Sequence, residues 1–558
     1  MSSSDLHAAN LDRYIDELSR LFNVPGISVA IVRLSQESEV HNWGRRSENP
    51  FASDENTLYS IASNSKAFAA TALGILIDDF QHGRNVTPLP AGVSLDWTTK
   101  VADLLPDEWH LQDSYAERHI NLLDLLNHVT GMPRHDLSYN LTMDVRGVVS
   151  SLEHLRPIAE LRERWKYNNM MFGVASYIVQ KYSLQSYPDF VASRILTPLG
   201  MDSSTYNPQE AFDSGNLSQT WADNAGPGRN ETRLIPYWLY DWSDSAISVD
   251  AGAGGLISST KDLSQWVHAL LKKGKHPTTG GQIIPASVVE TTMLGRTVME
   301  GKPDYPELSA KVYGAGWWRY SYQGHQIVQH SGDVPGYTSL ISLLPDDGFG
   351  IVTLVNGDEK QIPIECIHFR IMEDELGLKH IDWPDRLSSQ HNAEHKALPP
   401  IPANQTQSSP LPLADFVGTY SSPGYVGDFT LCTWPSSTDS KSQAVFSAYQ
   451  LCDPTFPQHR ETALYASWRR LWSTHFKLVP DPSAPGRFSM HLDTLLPHGA
   501  GEDTSPFLFR FGIRETMVEF EIVDGKVTGL GLWNEPGQKD PVSGRPRERA
   551  EAWFDKVT

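Results

Sequence analysis

Ser63 and Lys66 stand three residues apart in YSIASNSKAF, just where the chain enters an almost unbroken apolar run from Ala67 to Ile77. That spacing puts a hydroxyl and an amine on one helical face, about one turn from each other. An amine of lowered proton affinity can take the serine's proton, which makes a nucleophile of a weak hydroxyl. A helix start also turns backbone N–H groups and the positive end of its dipole toward a developing oxyanion. A lysine opening a buried helix costs stability, because desolvating an ammonium is expensive. It must reach solvent or serve a cleft.

Two later stretches add to this pair. Tyr167-Asn168-Asn169 precedes a second apolar helix, NMMFGVASYIV. A phenol is a poor base at its usual pKa of about 10, but an adjacent ammonium favours its phenolate, so Tyr167 and Lys66 could share a proton. His330-Ser331-Gly332 lies in the strand-like run VQHSGDVPGYTSL. Glycine weakens a strand interior unless another backbone or a ligand must come close. Such a strand beside the nucleophile could offer an N–H to a substrate carbonyl. Taken singly, Tyr167 also reads as a packed residue at a helix start, and Gly332 as a bulge beside an ordinary His330.

The surrounding pattern says what must hold these residues. Residues 9–22 read as a helix with Leu11, Tyr14, Ile15, Leu18, Leu21 and Phe22 on one face. GISVAIVRL (26–34) reads as a strand with EVHNWGRRS as its hairpin partner. Helices are expected over 63–80, 169–184 and 260–272, the last capped by Ser259 or Thr260. Three strand runs then follow between Gln326 and Gly357. Strands at both ends with helices between them predict an α+β domain over 1–384, an antiparallel sheet flanked by helices with an all-helical insertion. Residues 385–412 are polar and rich in Pro and Ser, a linker composition. Residues 413–558 read as short alternating strands, an all-β barrel or sandwich.

Composition narrows the classes of function. At 558 residues the chain exceeds one core, and its formal charge of -21 argues against nucleic-acid or anionic-membrane partners. A small molecule is the expected partner. The three cysteines are far apart with no CxxC spacing, so neither a disulfide framework nor a metal centre is expected, and no cofactor. The first residues lack the charged and apolar regions of a signal peptide, and no apolar run approaches the ~20 residues of a membrane span. A cytoplasmic protein is expected.

Order and spacing together carry a resemblance. Ser-x-x-Lys near residue 63, Tyr-x-Asn about a hundred residues on and His-x-Gly on a late strand resemble the superfamily of penicillin-binding proteins, class C β-lactamases, family VIII esterases and D-aminopeptidases. LLDLLNHVTGMPRHD, ILTPLGMDSSTY and AGAGGLISSTKDLSQWVHALL are similar to that superfamily too, and the likeness spans residues 10 to about 375. The tail resembles the lipocalin-like barrel that some members carry. The resemblance implies Ser63 as nucleophile, Lys66 as its proton partner, and Tyr167 as the base that later protonates the leaving group. It implies that Asn169 orients substrate or Lys66, and that the backbone N–H groups of Ser63 and Asp333 form the oxyanion hole.

Two positions depart from that pattern. His330 stands where β-lactamases of this kind usually have lysine, so a fixed cation for a substrate carboxylate is missing. Asp333 places a carboxylate after Gly332, which either disfavours anionic substrates or points out to solvent. The expected activity is acyl-enzyme hydrolysis of an ester, lactone or amide. An acyltransferase would need the same residues, and a non-catalytic binding protein would not need them. Trp238, Trp242, Trp317 and Trp318 are pocket or core candidates. The tail is expected to shape access and stability, with Trp533 the residue to reach substrate if the tail docks.

Overall fold

The computed structural model describes residues 3–49, 51–223, 232–394, 409–512, 516–534 and 544–557. Its centre is an antiparallel sheet of eight strands: β1 (Gly26–Arg33), β2 (Glu39–Gly44), β3 (Thr297–Glu300), β4 (Lys311–Gly314), β5 (Trp317–Tyr322), β6 (His325–Val334), β7 (Tyr337–Leu344) and β8 (Phe349–Val355). Their order is β2-β1-β8-β7-β6-β5-β4-β3. The N-terminal hairpin joins the late strands through β1 and β8, with Ile27 opposite Val355. Strands β7 and β8 are buried along their whole length because helices cover both faces of the sheet. They therefore read as continuous apolar runs and not as alternation.

Helices α1 (Ser3–Leu21) and α5 (Gln361–Leu376) cover one face and share a core with the sheet through Ile15, Leu18, Ile364 and Ile367. Leu21, expected on the buried face of α1, is exposed at the helix end. Helices α2 (Ser65–Gln81), α3 (Asn169–Ser183) and α4 (Thr260–Leu271) cover the other face. Asn168 caps α3, its side chain accepting from Met171 N, and Ser259 caps α4 through Asp262 N. Strands β3 to β5 escape the sequence pattern because they are short, four to six residues, and the pairing of β3 with β4 is irregular.

The expected linker begins later than residue 385. Helix α6 (Trp383–Glu394) occupies its first ten residues. Trp383 anchors that helix, buried and stacked on Phe369 at 4.3 Å, which outweighs the polar composition around it. Residues 395–408 of the expected linker lie outside the described residues.

The tail forms a nearly closed barrel from β9 (Gly418–Ser421), β10 (Phe429–Leu431), β11 (Leu464–Ser467), β12 (His475–Pro480), β13 (Arg487–Leu496), β14 (Phe507–Phe509), β15 (Thr516–Val523), β16 (Lys526–Trp533) and β17 (Ala552–Lys556). The path runs β10-β9-β17-β16-β15-β13-β12-β11, with β14 beside β13. A bridge between Cys432 and Tyr465 brings its ends together. Phe429, Trp468, Phe476 and Phe554 fill the interior, leaving a void of about 10 Å³. That is room for about one water at most, so the barrel is a packed core and not a ligand cup. Helix α7 (Ser440–Cys452) packs on it through Phe446 and Tyr449.

Candidate active site

The site is built around the turn that opens α2. Ala62 adopts a left-handed φ of 48°, and Ala62–Asn64 form a single 3-10 turn before Ser65 begins the helix. Both sides of the turn are pinned. Asn64 Nδ2 donates to Ser339 Oγ at 2.9 Å, and Ser339 Oγ donates to Ile61 O at 2.8 Å. Opposite, Ile61 N donates to Leu256 O, and Leu256 N to Ser65 Oγ at 3.1 Å. Asn64 and Ser65 are thus spent on holding the turn. Ser63 is left facing the cleft.

Two groups converge on its oxygen. Tyr167 O–H donates to Ser63 Oγ at 2.7 Å, and Lys66 Nζ lies 3.0 Å from the same oxygen. Lys66 Nζ also donates to Ala253 O at 2.7 Å and sits over the rings of Tyr167 and Phe172. The lysine is fully buried. Burial pushes its pKa well down, Asp250 partly opposes this, and Arg134 adds to it. An amine in that state accepts a hydroxyl proton near neutral pH.

Tyr167 departs from the charge argument made from sequence. A neighbouring ammonium favours a phenolate, but burial dominates and pushes the phenol up. The Arg134 guanidinium, 4.8 Å over the ring, and the hydrogen bond to Ser63 only partly offset that. Tyr167 is a protonated donor to Ser63 at rest.

Strand β6 closes the other side. A Cβ on Gly332 would stand 2.1 Å from Ile61 O and 3.0 Å from Ser63 N, so the two backbones meet where no side chain fits. His330 is buried, stacked on Trp318 at 5.1 Å and 3.2 Å from Tyr313 O–H through Nε2. Burial, with the Lys66 charge, pushes its pKa down to about 3, so the ring is neutral. Asp333 is half-buried at the cavity edge and tied to its neighbours: its Oδ1 accepts from Thr338 Oγ1 at 3.0 Å and from Glu359 N at 3.2 Å. Burial and the Glu359 charge push it up to about 7. Asn169 turns its amide to Asp136 Oδ1 at 2.9 Å and not to Lys66, leaving its own Oδ1 buried without a partner among the described residues.

Comparison with known proteins places this geometry in a family. Residues 11–367 match the family model described as Beta-lactamase. The chain belongs to the Beta-lactamase family and is a serine hydrolase. An unguisins hydrolase of Aspergillus campestris is 28% identical over 423 residues, covering 72% of this chain and 74% of that protein. Protein flp of Staphylococcus aureus is 23% identical over 363 residues, covering 63% and 64%. Among solved structures, the penicillin-binding protein homologue from Pyrococcus abyssi, described as octameric, has a TM-score of 0.56 at 18% identity and covers 95% of this chain and 98% of its own. A D-alanine carboxypeptidase AmpC from Burkholderia cenocepacia has a TM-score of 0.50 at 18% identity, covering 67% and 100%. These two show the fold alone.

Several lining groups were not legible in the sequence. Ser63, Tyr167, Asn169, His330, Gly332 and Asp333 open on one cavity of about 710 Å³, which Arg134, Asp250 and Trp165 also line. Arg134 Nε donates to Asp136 Oδ2 at 2.6 Å, so this guanidinium is tied to a carboxylate beside the site. The signal for Asp250 was the glycine run that follows it, since glycines collect where chain segments come close. Of the four tryptophans singled out, only Trp318 lines this cavity.

The barrel supplies the fourth wall through Trp472, Phe511, Gly512 and Asn534. His135 Nδ1 and Tyr425 O–H lie 2.9 Å apart across the junction, and Gly512 N donates to Glu359 Oε1 at 2.9 Å. Trp533 packs under Arg549, and the next residue, Asn534, faces the cleft instead.

Proposed function

We propose that Ser63 is the nucleophile of an acyl-enzyme hydrolase acting on an ester, lactone or amide of a small molecule. The observation that carries this is the convergence of Lys66 Nζ and Tyr167 O–H on Ser63 Oγ at the floor of the cleft. Lys66, as an amine, takes the Ser63 proton while Oγ bonds to the substrate carbonyl carbon. The backbone N–H groups of Ser63 and Asp333 hold the resulting oxyanion. When the bond to the leaving group breaks, Tyr167 gives that group its proton and regains one from the Lys66 ammonium. Water then repeats the sequence on the acyl-enzyme, and Ser63 leaves reprotonated.

Three features support an uncharged, bulky substrate. The walls carry Trp165, Trp318, Trp472 and Phe511. His330 is neutral, so the late strand offers no cation to a carboxylate. Of the two cations that line the cleft, Arg134 and Lys166, the guanidinium is paired with Asp136. The hydrolase names of the Aspergillus relatives support water, and not an alcohol or amine, as the acyl acceptor.

A fluorophosphonate probe should label Ser63 stoichiometrically, located by mass spectrometry. Ser63→Ala should lose about 10⁴-fold or more in turnover of p-nitrophenyl esters while keeping its fold. Near-wild-type turnover by that variant would sink the assignment.

A further inference from the structure

Asp250 ends a short helix, Asp244–Asp250, and starts the turn that faces Lys66. Its carbonyl accepts from Ala253 N at 3.0 Å and Gly254 N at 2.7 Å, and the turn so formed presents Ala253 O to Lys66 Nζ. Its side chain lies in the cleft wall at 4% exposure. Oδ1 accepts no hydrogen bond among the described residues. Gly254 makes room for the carboxylate, since a Cβ there would stand 2.4 Å from Asp250 Oδ2. A buried carboxylate with an empty acceptor is costly unless a cation offsets it.

We infer that Asp250 is a positioning residue for Lys66: its buried carboxylate, which makes no ion pair with the lysine within 4 Å, acts on it through its charge, favours the ammonium, and so decides when the amine is free to take the proton of Ser63. This rests on the reading of Lys66 as the base. Lys66 Nζ has two oxygen partners, Ser63 Oγ and Ala253 O, and neither carries a charge. After burial, Asp250 is the strongest influence on Lys66, and Lys66 is the strongest on Asp250. The other groups facing the pair are Arg134, Asp136, Tyr139, Tyr167, His128 and His330, and burial pushes both histidines down so that they are neutral. Asp136 is occupied by Arg134 and Asn169, and Arg134 opposes the lysine's charge. Both phenols are pushed up by burial and stay neutral. That leaves Asp250 as the carboxylate without a hydrogen-bond partner on Oδ1.

The sign follows from which form is favoured. Asp250 favours the ammonium, against burial and Arg134, which favour the amine. Removing the carboxylate leaves the latter two unopposed, so Lys66 loses its proton at lower pH. The acid limb of kcat/KM reports that loss in the free enzyme. A weaker base also abstracts a proton less well, so the plateau falls.

The test is the pH profile of kcat/KM on an uncharged p-nitrophenyl ester for the full-length wild type, Asp250→Asn and Asp250→Glu, each checked for folding. In Asp250→Asn the acid limb should move down by about one pH unit or more, with a plateau roughly 10- to 100-fold lower. Asp250→Glu, which keeps the charge, should hold its limb near that of the wild type. If Asp250→Asn does not fold, Asp250→Ser carries the same expectation with a smaller side chain. A folded neutral variant whose limb stays in place overturns the inference, as does an equal shift in the glutamate variant. Loss of activity at every pH in both neutral variants would also overturn it, because it would make Asp250 part of acyl transfer itself. Retained turnover in Ser63→Ala would instead sink the underlying reading of the site.

Discussion

Tyr167 reaches Ser63 across 104 residues of sequence, its hydroxyl donating to Ser63 Oγ at 2.7 Å. Lys66, one helical turn from Ser63, approaches the same oxygen, so the two partners hydrogen-bond to one atom and not to each other. Burial drives them in opposite directions on the pKa scale, the lysine down and the phenol up. Lys66 is therefore the resting acceptor and Tyr167 the resting donor. A proton passing between them is relayed at the serine oxygen.

Such a relay predicts non-additive losses. Lys66→Ala removes the acceptor, and Tyr167→Phe removes the donor to the leaving group. With either gone the relay is broken, so the double variant should lose little more acylation rate than the worse single variant. Acylation measured by fluorophosphonate labelling of the three variants checks this. Losses that add in the logarithm of rate would mean that the two groups act independently.

A second prediction concerns charge on the late strand. His330 is neutral and stacked on Trp318. Placing an ammonium there with His330→Lys supplies the cation that a substrate carboxylate lacks. The ratio of kcat/KM on benzylpenicillin to that on an uncharged ester should rise by roughly tenfold or more, since a charge-assisted hydrogen bond contributes about 1.5–3 kcal/mol. Ester turnover itself should fall, because a second cation near Lys66 weakens it further as a base. A wild type that hydrolyses benzylpenicillin as efficiently as its best ester would defeat the argument.

What was legible follows from where each signal lives. Ser63, Lys66, Tyr167 and Gly332 were readable because each breaks a local rule, a polar group or a glycine set into an apolar element. Strands β6 to β8 were readable because they are long and continuous. Burial was not readable at Tyr167, where the charge of Lys66 was foreseen and the desolvation that outweighs it was not. Arg134, in a loop, and Asp250, at the end of a short helix, were missed because neither stands at a nucleophile-to-base spacing. Helix α6 was lost in the linker-like composition from residue 385, although the buried indole of Trp383 just before that stretch is enough to seat a helix. Trp472, Phe511 and Asn534 depend on how the barrel docks, which no local pattern encodes.

The pH dependence of stability has a local test at His368, away from the cleft. Its Nδ1 lies 2.8 Å from Ser342 Oγ and its Nε2 3.0 Å from Thr353 Oγ1. Burial pushes its pKa down to about 3, against about 6.5 in the unfolded chain. Between those values the unfolded state binds a proton that the folded state does not. Stability therefore falls as pH drops below about 6.5, by up to about 1.4 kcal/mol per pH unit for this one group. His368→Gln removes that proton from the balance. Urea unfolding at pH 4.5, 5.5 and 6.5 should give a shallower acid slope for the variant than for the wild type. Asp333, whose raised pKa acts in the opposite sense, is common to both proteins and cancels in the difference. Identical slopes would mean that His368 is protonated in the folded state.

The barrel wall yields the last prediction. A chain cut near Gln390 would end inside helix α6, where Gln390 Oε1 accepts from Tyr305 O–H at 2.9 Å. It would also uncover apolar groups that share one core with the barrel, such as Leu155. Truncation therefore confounds folding with chemistry, and point variants do not. Trp472 and Phe511 line the cleft together with Ser63 but make none of the contacts on Oγ. Contacts that act equally in the ground and transition states show their loss in KM, as expected for a wall that touches none of the reacting atoms. Trp472→Ala and Phe511→Ala should raise KM for a long-chain or aromatic p-nitrophenyl ester by roughly tenfold, the size expected for losing part of an aromatic contact. On p-nitrophenyl acetate, too small to reach the barrel, both variants should match the wild type within about twofold, with Ser63 labelling unchanged. Equal losses on acetate and on the bulky ester would mean that the barrel holds the catalytic groups in place, and that its wall is not a substrate surface.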